Sequence, residues 1–124
     1  MIAKVVDASS FAAVVFREPG FADAARLLSG HELHAPTLMR YEMANVCIKK
    51  IRQLPDQRGL LIEQHRQSLG VEIQDHGIKP AEVLALADKL GLSAYDASYL
   101  WLARVLGFEL VTSDDKLRKA AAKT

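Results

Sequence analysis

The sequence predicts an α/β sandwich in which a short parallel sheet of about four strands is flanked by helices. Three observations lead there. Short apolar or alternating runs recur between longer segments of helical period. Prolines open and glycines close several of those longer segments, as helix ends require. At 124 residues, half apolar and a quarter charged, the chain can bury a core and is expected to be one domain, residues 1–124.

Each element has its own reason. "IAKVV" (Ile2 to Val6) reads as a buried strand, and Ser9 to Phe16 as an apolar helix stopped by Pro19-Gly20. "FADAARLLSG" is amphipathic and ends on Gly30. "ELHA" is a second strand closed by Pro36, after which Thr37 opens a long helix, "LMRYEMANVCIKKIRQL". Pro55 starts the next helix and Gly70 follows its end. "VEIQ" (Val71 to Gln74) alternates as a strand does, and "PAEVLALADKLG" is again proline-first and glycine-last. A helix lies within Gly91 to Phe108, then "ELVT" reads as a strand and "DKLRKAAAK" as a basic helix.

Composition excludes several function classes. The formal net charge is +1, so any nucleic-acid binding must come from a local patch. The lone Cys47 cannot form an internal disulfide, which suits a reducing cytoplasm, and its apolar neighbours suit a core thiol. "MIAKVVDASS" lacks the apolar core of a signal peptide, and no run approaches the roughly 20 apolar residues of a membrane span. His31 and His34 have no Cys or third His near them in sequence, and no Gly-rich phosphate loop or Gly-x-Ser-x-Gly elbow occurs. Tyr95, Tyr99 and Trp101 spread around one helix, as packing residues do.

Acidic residues carry the chemical signal. Asp96 fits a capping box with Ser93, yet its helical face continues through Leu100 and Ala103, where an unpaired carboxylate is costly. Its helix returns to the last strand through a short turn, placing Asp96 at that strand's carboxyl edge. Asp7 and Asp114 each follow a strand, and Glu42 lies early in the helix that leaves "ELHA". Ligand sites of open α/β sheets form along that edge. Taken singly, Asp7 and Asp114 (or its neighbour Asp115) can be turn or cap residues, and Glu42 a solvated one. Together they repel, by about 4 kcal/mol for two carboxylates about 4 Å apart at a surface-like dielectric. Protons or a hard cation such as Mg²⁺ or Mn²⁺ would offset that repulsion.

With these residues in place, the chain resembles the PIN-domain nucleases, specifically the VapC-type toxins of bacterial toxin–antitoxin pairs. The resemblance rests on "VVDASS", "RYEMANV", "LSAYDASYLWLA" and "LVTSDDKL", in that order and spacing. It implies a PIN-like three-layer sandwich and a metal-dependent endoribonuclease. It also implies that Asp7, Glu42, Asp96 and Asp114 form the catalytic metal cluster, with Ser9 and Thr112 supporting them. Asp114 is preferred to Asp115 because it completes a Thr-x-Asp pattern with Thr112. Asn45 lies one turn beyond Glu42 and could orient that carboxylate or a metal-bound water, or be an ordinary exposed polar group of the helix. Members often carry a further strand after the last helix, and none is read after "KLRKAAAKT".

The implied substrate is RNA, so basic residues should rim the acids: Arg40, Lys49, Lys50, Arg52, Lys116, Arg118 and Lys119 are candidates, with Arg40 and Lys116 favoured by proximity in sequence. The implied partners are a VapB-type antitoxin covering the acidic cleft and a second copy of the chain, with Phe11 to Phe16 and Leu28 offered as the dimer face. Two other readings stand beside this one. A haloacid-dehalogenase-like phosphohydrolase would use Asp7 as nucleophile, although Ser9 occupies the place of its usual second Asp. A noncatalytic interaction module would use the acids only as helix caps.

Overall fold

The structure, a computed structural model, describes residues 2–123. Four strands form one parallel sheet: β1 (Ala3–Val6), β2 (Glu32–Pro36), β3 (Gln74–His76) and β4 (Glu109–Val111), in the order β3-β2-β1-β4. Val5 of β1 pairs with His34 on one side and Leu110 on the other, so β1 is a central strand, and Val5 and Val6 are fully buried. The helices are α1 (Ala8–Val15), α2 (Phe21–Leu28), α3 (Met39–Gln53), α4 (Arg58–Ser68), α5 (Pro80–Leu90), α6 (Ala94–Leu106) and α7 (Asp115–Ala122). α6 packs on β1, β2 and β4 with α5 and α7 against it, while α1 to α4 pack among themselves. This is the α/β sandwich that the sequence predicts.

The connection after β1 leads to β2 and β3 on one side of it, and the chain then crosses to β4 on the other. The crevice outside the carboxyl ends of β1 and β4 is therefore the switch point where such sheets bind ligands. Gly107 sharpens the last approach to it. At φ 72° it closes α6, donating its N–H to Ala103 and Arg104 carbonyls, and β4 starts two residues later.

Three boundaries differ from expectation. The third strand is Gln74–His76, not Val71 to Gln74, because Gly70 and Val71 are still turning back onto Gln67 and Ser68. The chain meets β2 only where Gln74, Asp75 and His76 align with His34, Ala35 and Pro36. Thr37 does not cap α3; its N–H goes to the His76 carbonyl, and Leu38 precedes the helix without a side-chain cap. Pro55 opens a 3-10 turn, Pro55–Gln57, and α4 follows at Arg58.

The face offered for dimerisation is largely in the core. Phe11, Phe16 and Leu28 are 3%, 8% and 8% exposed, so packing within the chain has already claimed them. Cys47 is buried as a core thiol, and burial pushes its pKa up. His34 is buried, bonded to His76 at 2.7 Å and Glu32 at 2.6 Å, an arrangement internal to the sheet. Among the described residues no helix is long and apolar enough to cross a membrane.

Candidate active site

Asp7 stands where β1 becomes α1, and it is buried. Its N–H donates to the Val111 carbonyl at 3.1 Å, fastening the ends of β1 and β4 together. Its carboxylate caps α1 by accepting from Ser10 N–H at 2.9 Å. The Ser9 hydroxyl lies 2.9 Å from both carboxylate oxygens, and Thr112 Oγ1 donates to Oδ2 at 2.5 Å. These two hydroxyls also accept from the chain after β4: Ser9 Oγ from Ser113 N–H at 3.1 Å, and Thr112 Oγ1 from Asp114 N–H at 3.0 Å. Asp114 in turn caps α7, accepting from Leu117 N–H at 2.8 Å. Two strand ends and two helix starts are laced into one unit, whose hydroxyls hold Asp7 in a fixed orientation.

Glu42 and Asp96 come from the first turns of α3 and α6. Ser93 caps α6 by accepting from Asp96 N–H at 3.1 Å, as the capping reading expects. One turn after Asp96, Tyr99 is 1% exposed and donates its hydroxyl to Glu42 Oε1 at 2.6 Å. That bond ties α6 to α3. Sequence alone reads Tyr99 as a packing residue. Its i+3 spacing from Asp96 was the available signal, but the crossing that brings its phenol to Glu42 is a tertiary fact.

Three of the acids titrate high. Burial pushes Asp7 up despite the hydrogen bonds from Thr112, Ser10 and Ser9. Burial also raises Glu42; the Tyr99 hydrogen bond pulls it down, and the charges of Asp96 and Asp7 push it further up. Asp96 is raised by burial and by Asp114, with Ser93 and Lys116 pulling it down. Tyr99 is held far above the usual phenol range by burial and by Glu42, so it stays a donor. Glu42 feels Asp7 and Asp96, and Asp96 feels Asp114, so the four acids form one electrostatic cluster.

The donor set is all oxygen and its charges repel, which fits a hard divalent cation. The placement is looser than the chemistry. Among the described residues no three His, Cys, Asp or Glu side chains are arranged to hold a metal ion as they stand. A shared ion would require the side chains of the acids to draw in.

The remaining candidates divide. Ser9 and Thr112 hold Asp7 directly. Asn45 makes no side-chain hydrogen bond among the described residues and lines a cleft beside Glu42. Arg40 is committed elsewhere: its guanidinium donates to the Ser68 and Val71 carbonyls at 3.3 and 3.2 Å, bracing the turn between α4 and β3. Lys50 pairs with Glu18 at 3.1 Å, and Arg118 with Asp115 at 2.6 Å. Lys116 is exposed and its charge reaches Asp96; Lys49 lines a second cleft with Ser9, Ser113 and Asp114. Ser10 and Ser113, not singled out in the sequence, meet through their hydroxyls at 3.2 Å beneath Asp7.

The PIN domain family matches residues 4–123, nearly the whole chain. The protein is a member of the PIN domain family. This PIN domain is 39% identical over 123 residues to Ribonuclease VapC3 of Pyrobaculum aerophilum, spanning 91% of this chain and 90% of that one. Among solved structures it is similar to PAE2754 from the same organism, with a TM-score of 0.77 and 25% identity over 96% of this chain and 84% of that one. It also shares its fold with VapC20 of Mycobacterium tuberculosis, described as a sarcin-ricin loop cleaving toxin. There the TM-score is 0.68 at 14% identity, covering 94% of each chain.

Proposed function

We propose that this PIN domain is a metal-dependent endoribonuclease and the toxin of a toxin–antitoxin pair. The observation that carries the reading is the electrostatic cluster of Asp7, Glu42, Asp96 and Asp114 at the switch point, with three of its members raised in pKa. The 39% identity to a chain named as a ribonuclease supports it. Helix capping explains part of the geometry of Asp7 and Asp114, but not why a buried tyrosine is spent on Glu42. The covalent phosphohydrolase reading is disfavoured, since Ser9 stands where its usual second Asp would be and holds Asp7 through a hydroxyl.

Asp7, Glu42, Asp96 and Asp114 would hold Mg²⁺ or Mn²⁺. Such an ion supplies a water nucleophile near neutral pH and offsets negative charge on the phosphate under attack. The chain's own groups do the rest. Ser9 and Thr112 keep the Asp7 carboxylate aimed, Tyr99 does so for Glu42, and Lys116 attracts the polyanion to the acids. A VapB-type antitoxin would cover this acidic edge, the working form would be a homodimer in the cytoplasm, and the dimer would use a face other than Phe11 to Phe16.

The test is a cleavage assay on total cellular RNA, with the new ends mapped, with and without chelator. Cutting that needs the divalent cation and disappears in the Asp7→Asn, Asp96→Asn double variant supports the reading. Cutting that survives the double substitution ends it.

A further inference from the structure

Beside the acids lies a small cleft of about 280 Å³, lined by Tyr41, Glu42, Asn45 and Tyr95. Its two tyrosines each directly precede an acid of the cluster, Glu42 on α3 and Asp96 on α6. Both rings stand in solvent: Tyr41 is 83% exposed and Tyr95 64%. Neither hydroxyl has a hydrogen-bond partner among the described residues. A tyrosine ring buries about 150–250 Å² when packed, so two rings left in water contribute little to folding. A single exposed apolar side chain needs no explanation. Two aromatic rings lining one cleft together with Glu42 call for one.

The backbone holds this cleft open in a defined shape. Tyr41 and Asn45 are four apart on α3 and so share a face. Tyr95 and Tyr99 are four apart on α6, and the Tyr99 bond to Glu42 pins the two helices together directly behind the cleft. A ligand entering this cleft would therefore meet the Tyr41 and Tyr95 rings, the Asn45 amide and the Glu42 carboxylate.

We propose that this cleft is a stacking site for one unpaired RNA base next to the phosphodiester to be cut, with Tyr41 and Tyr95 as its aromatic walls and Asn45 at its polar edge. The proposal rests on the nuclease reading and specifies its substrate. Flat bases stack on phenol rings whatever their sequence, and a base locked in a duplex is not free to do so, so the site selects unpaired strands. The Asn45 amide offers a donor and an acceptor side by side, and every unpaired base presents an adjacent donor and acceptor on its free edge. Base preference at this one position would therefore be modest and would depend on Asn45.

Short single-stranded oligoribonucleotides carrying 2-aminopurine at successive positions provide the probe, with the matched duplex and an abasic strand beside them. Binding is read by fluorescence in the Asp7→Asn background, and cleavage with Asp7 intact. The expected result is quenching at one position adjacent to the cut, lost in Tyr41→Ala and Tyr95→Ala and kept in Tyr41→Phe and Tyr95→Phe. Each alanine variant should weaken single-strand binding by about 5- to 100-fold and raise KM more than it lowers kcat. The salt slope should stay the same, because no phosphate contact is lost. The abasic strand should bind the parent as weakly as the full strand binds the alanine variants. If the parent cuts RNA while the alanine variants bind and cut with parental KM, the stacking site is overturned and the nuclease stands. If the parent neither binds nor cuts RNA, both are overturned.

Discussion

Tyr99→Phe removes one oxygen atom from a side chain that is 1% exposed and keeps its ring and volume. What is lost is a 2.6 Å hydrogen bond to the Glu42 carboxylate. Bonds to an ionised acceptor contribute about 1.5–3 kcal/mol. Water reaches the partly buried Glu42 and will replace part of the interaction, so the low end applies, about 1.5 kcal/mol. For a chain of 124 residues that is a fall in Tm of about 6 °C. The effect must depend on pH. The bond favours the charged form of Glu42 and pulls its pKa down, against a net rise above the usual 4.5. Its stabilisation is therefore full where Glu42 is ionised and fades as pH falls through that raised pKa. Thermal denaturation by circular dichroism across a pH series measures this directly. A double-mutant cycle with Glu42→Gln should show the two changes to be coupled, since a glutamine oxygen accepts the phenol less strongly. An equal Tm for Tyr99→Phe and parent at neutral pH, or a loss that persists undiminished in acid, would refute the assignment of Tyr99 to Glu42.

Other expectations follow from the same geometry. Asp96→Asn should raise Tm at neutral pH: its folded pKa is raised above 3.8, so the ionised carboxylate costs stability as pH rises through that window, and the gain should vanish in strong acid. Saturating Mn²⁺ should raise Tm by about 10 °C at a hundredfold excess over Kd, from about 2.7 kcal/mol of linkage, reversibly with chelator and not in the Asp7→Asn, Asp96→Asn variant. Lys116→Ala should reduce the slope of log K against log salt for RNA by about one unit. Arg40→Ala should leave that slope unchanged and cost about 1–2 kcal/mol in denaturant melts, because its two carbonyl bonds brace a turn.

The acids were legible because topology alone delivers them. A residue just past the end of a parallel strand stands at the carboxyl edge, and Asp7, directly after β1, and Asp114, three residues after β4, do so by position. The helix α6 had to start at that edge because it returns to β4 through a turn with Gly107. What could not be read were contacts set by how α3 and α6 cross. Tyr99 has apolar neighbours in sequence and reads as core until Glu42 is seen above its hydroxyl. Arg40 is two residues from Glu42 along the chain, yet on a helix that spacing turns the side chain away, and its guanidinium finds Ser68 and Val71. The strand read at Val71 to Gln74 is displaced for a related reason: alternation puts Val71 and Ile73 on one face, but Val71 is exposed, only Ile73 is buried, and the hydrogen-bond register with β2 begins at Gln74.

All four acids stand at the N-terminal ends of helices: Asp7 and Asp114 cap α1 and α7, and Glu42 and Asp96 lie in the first turns of α3 and α6. Four helices therefore direct the positive ends of their dipoles at one edge of the sheet. Without the carboxylates that edge would be an anion site, the kind that binds phosphate. With them it is acidic, and burial raises Asp7, Glu42 and Asp96 while neighbouring acids add to the rise at Glu42 and Asp96. Asparagine at position 7 keeps the helix cap while removing one negative charge, so the fold should survive and the dipoles should be less opposed. A nuclease built this way loses cutting when an acid is neutralised but grips its polyanion more tightly, because the same charges that would collect the cation also repel the strand. An acid whose only role was to cap a helix would give no such opposition between binding and cutting.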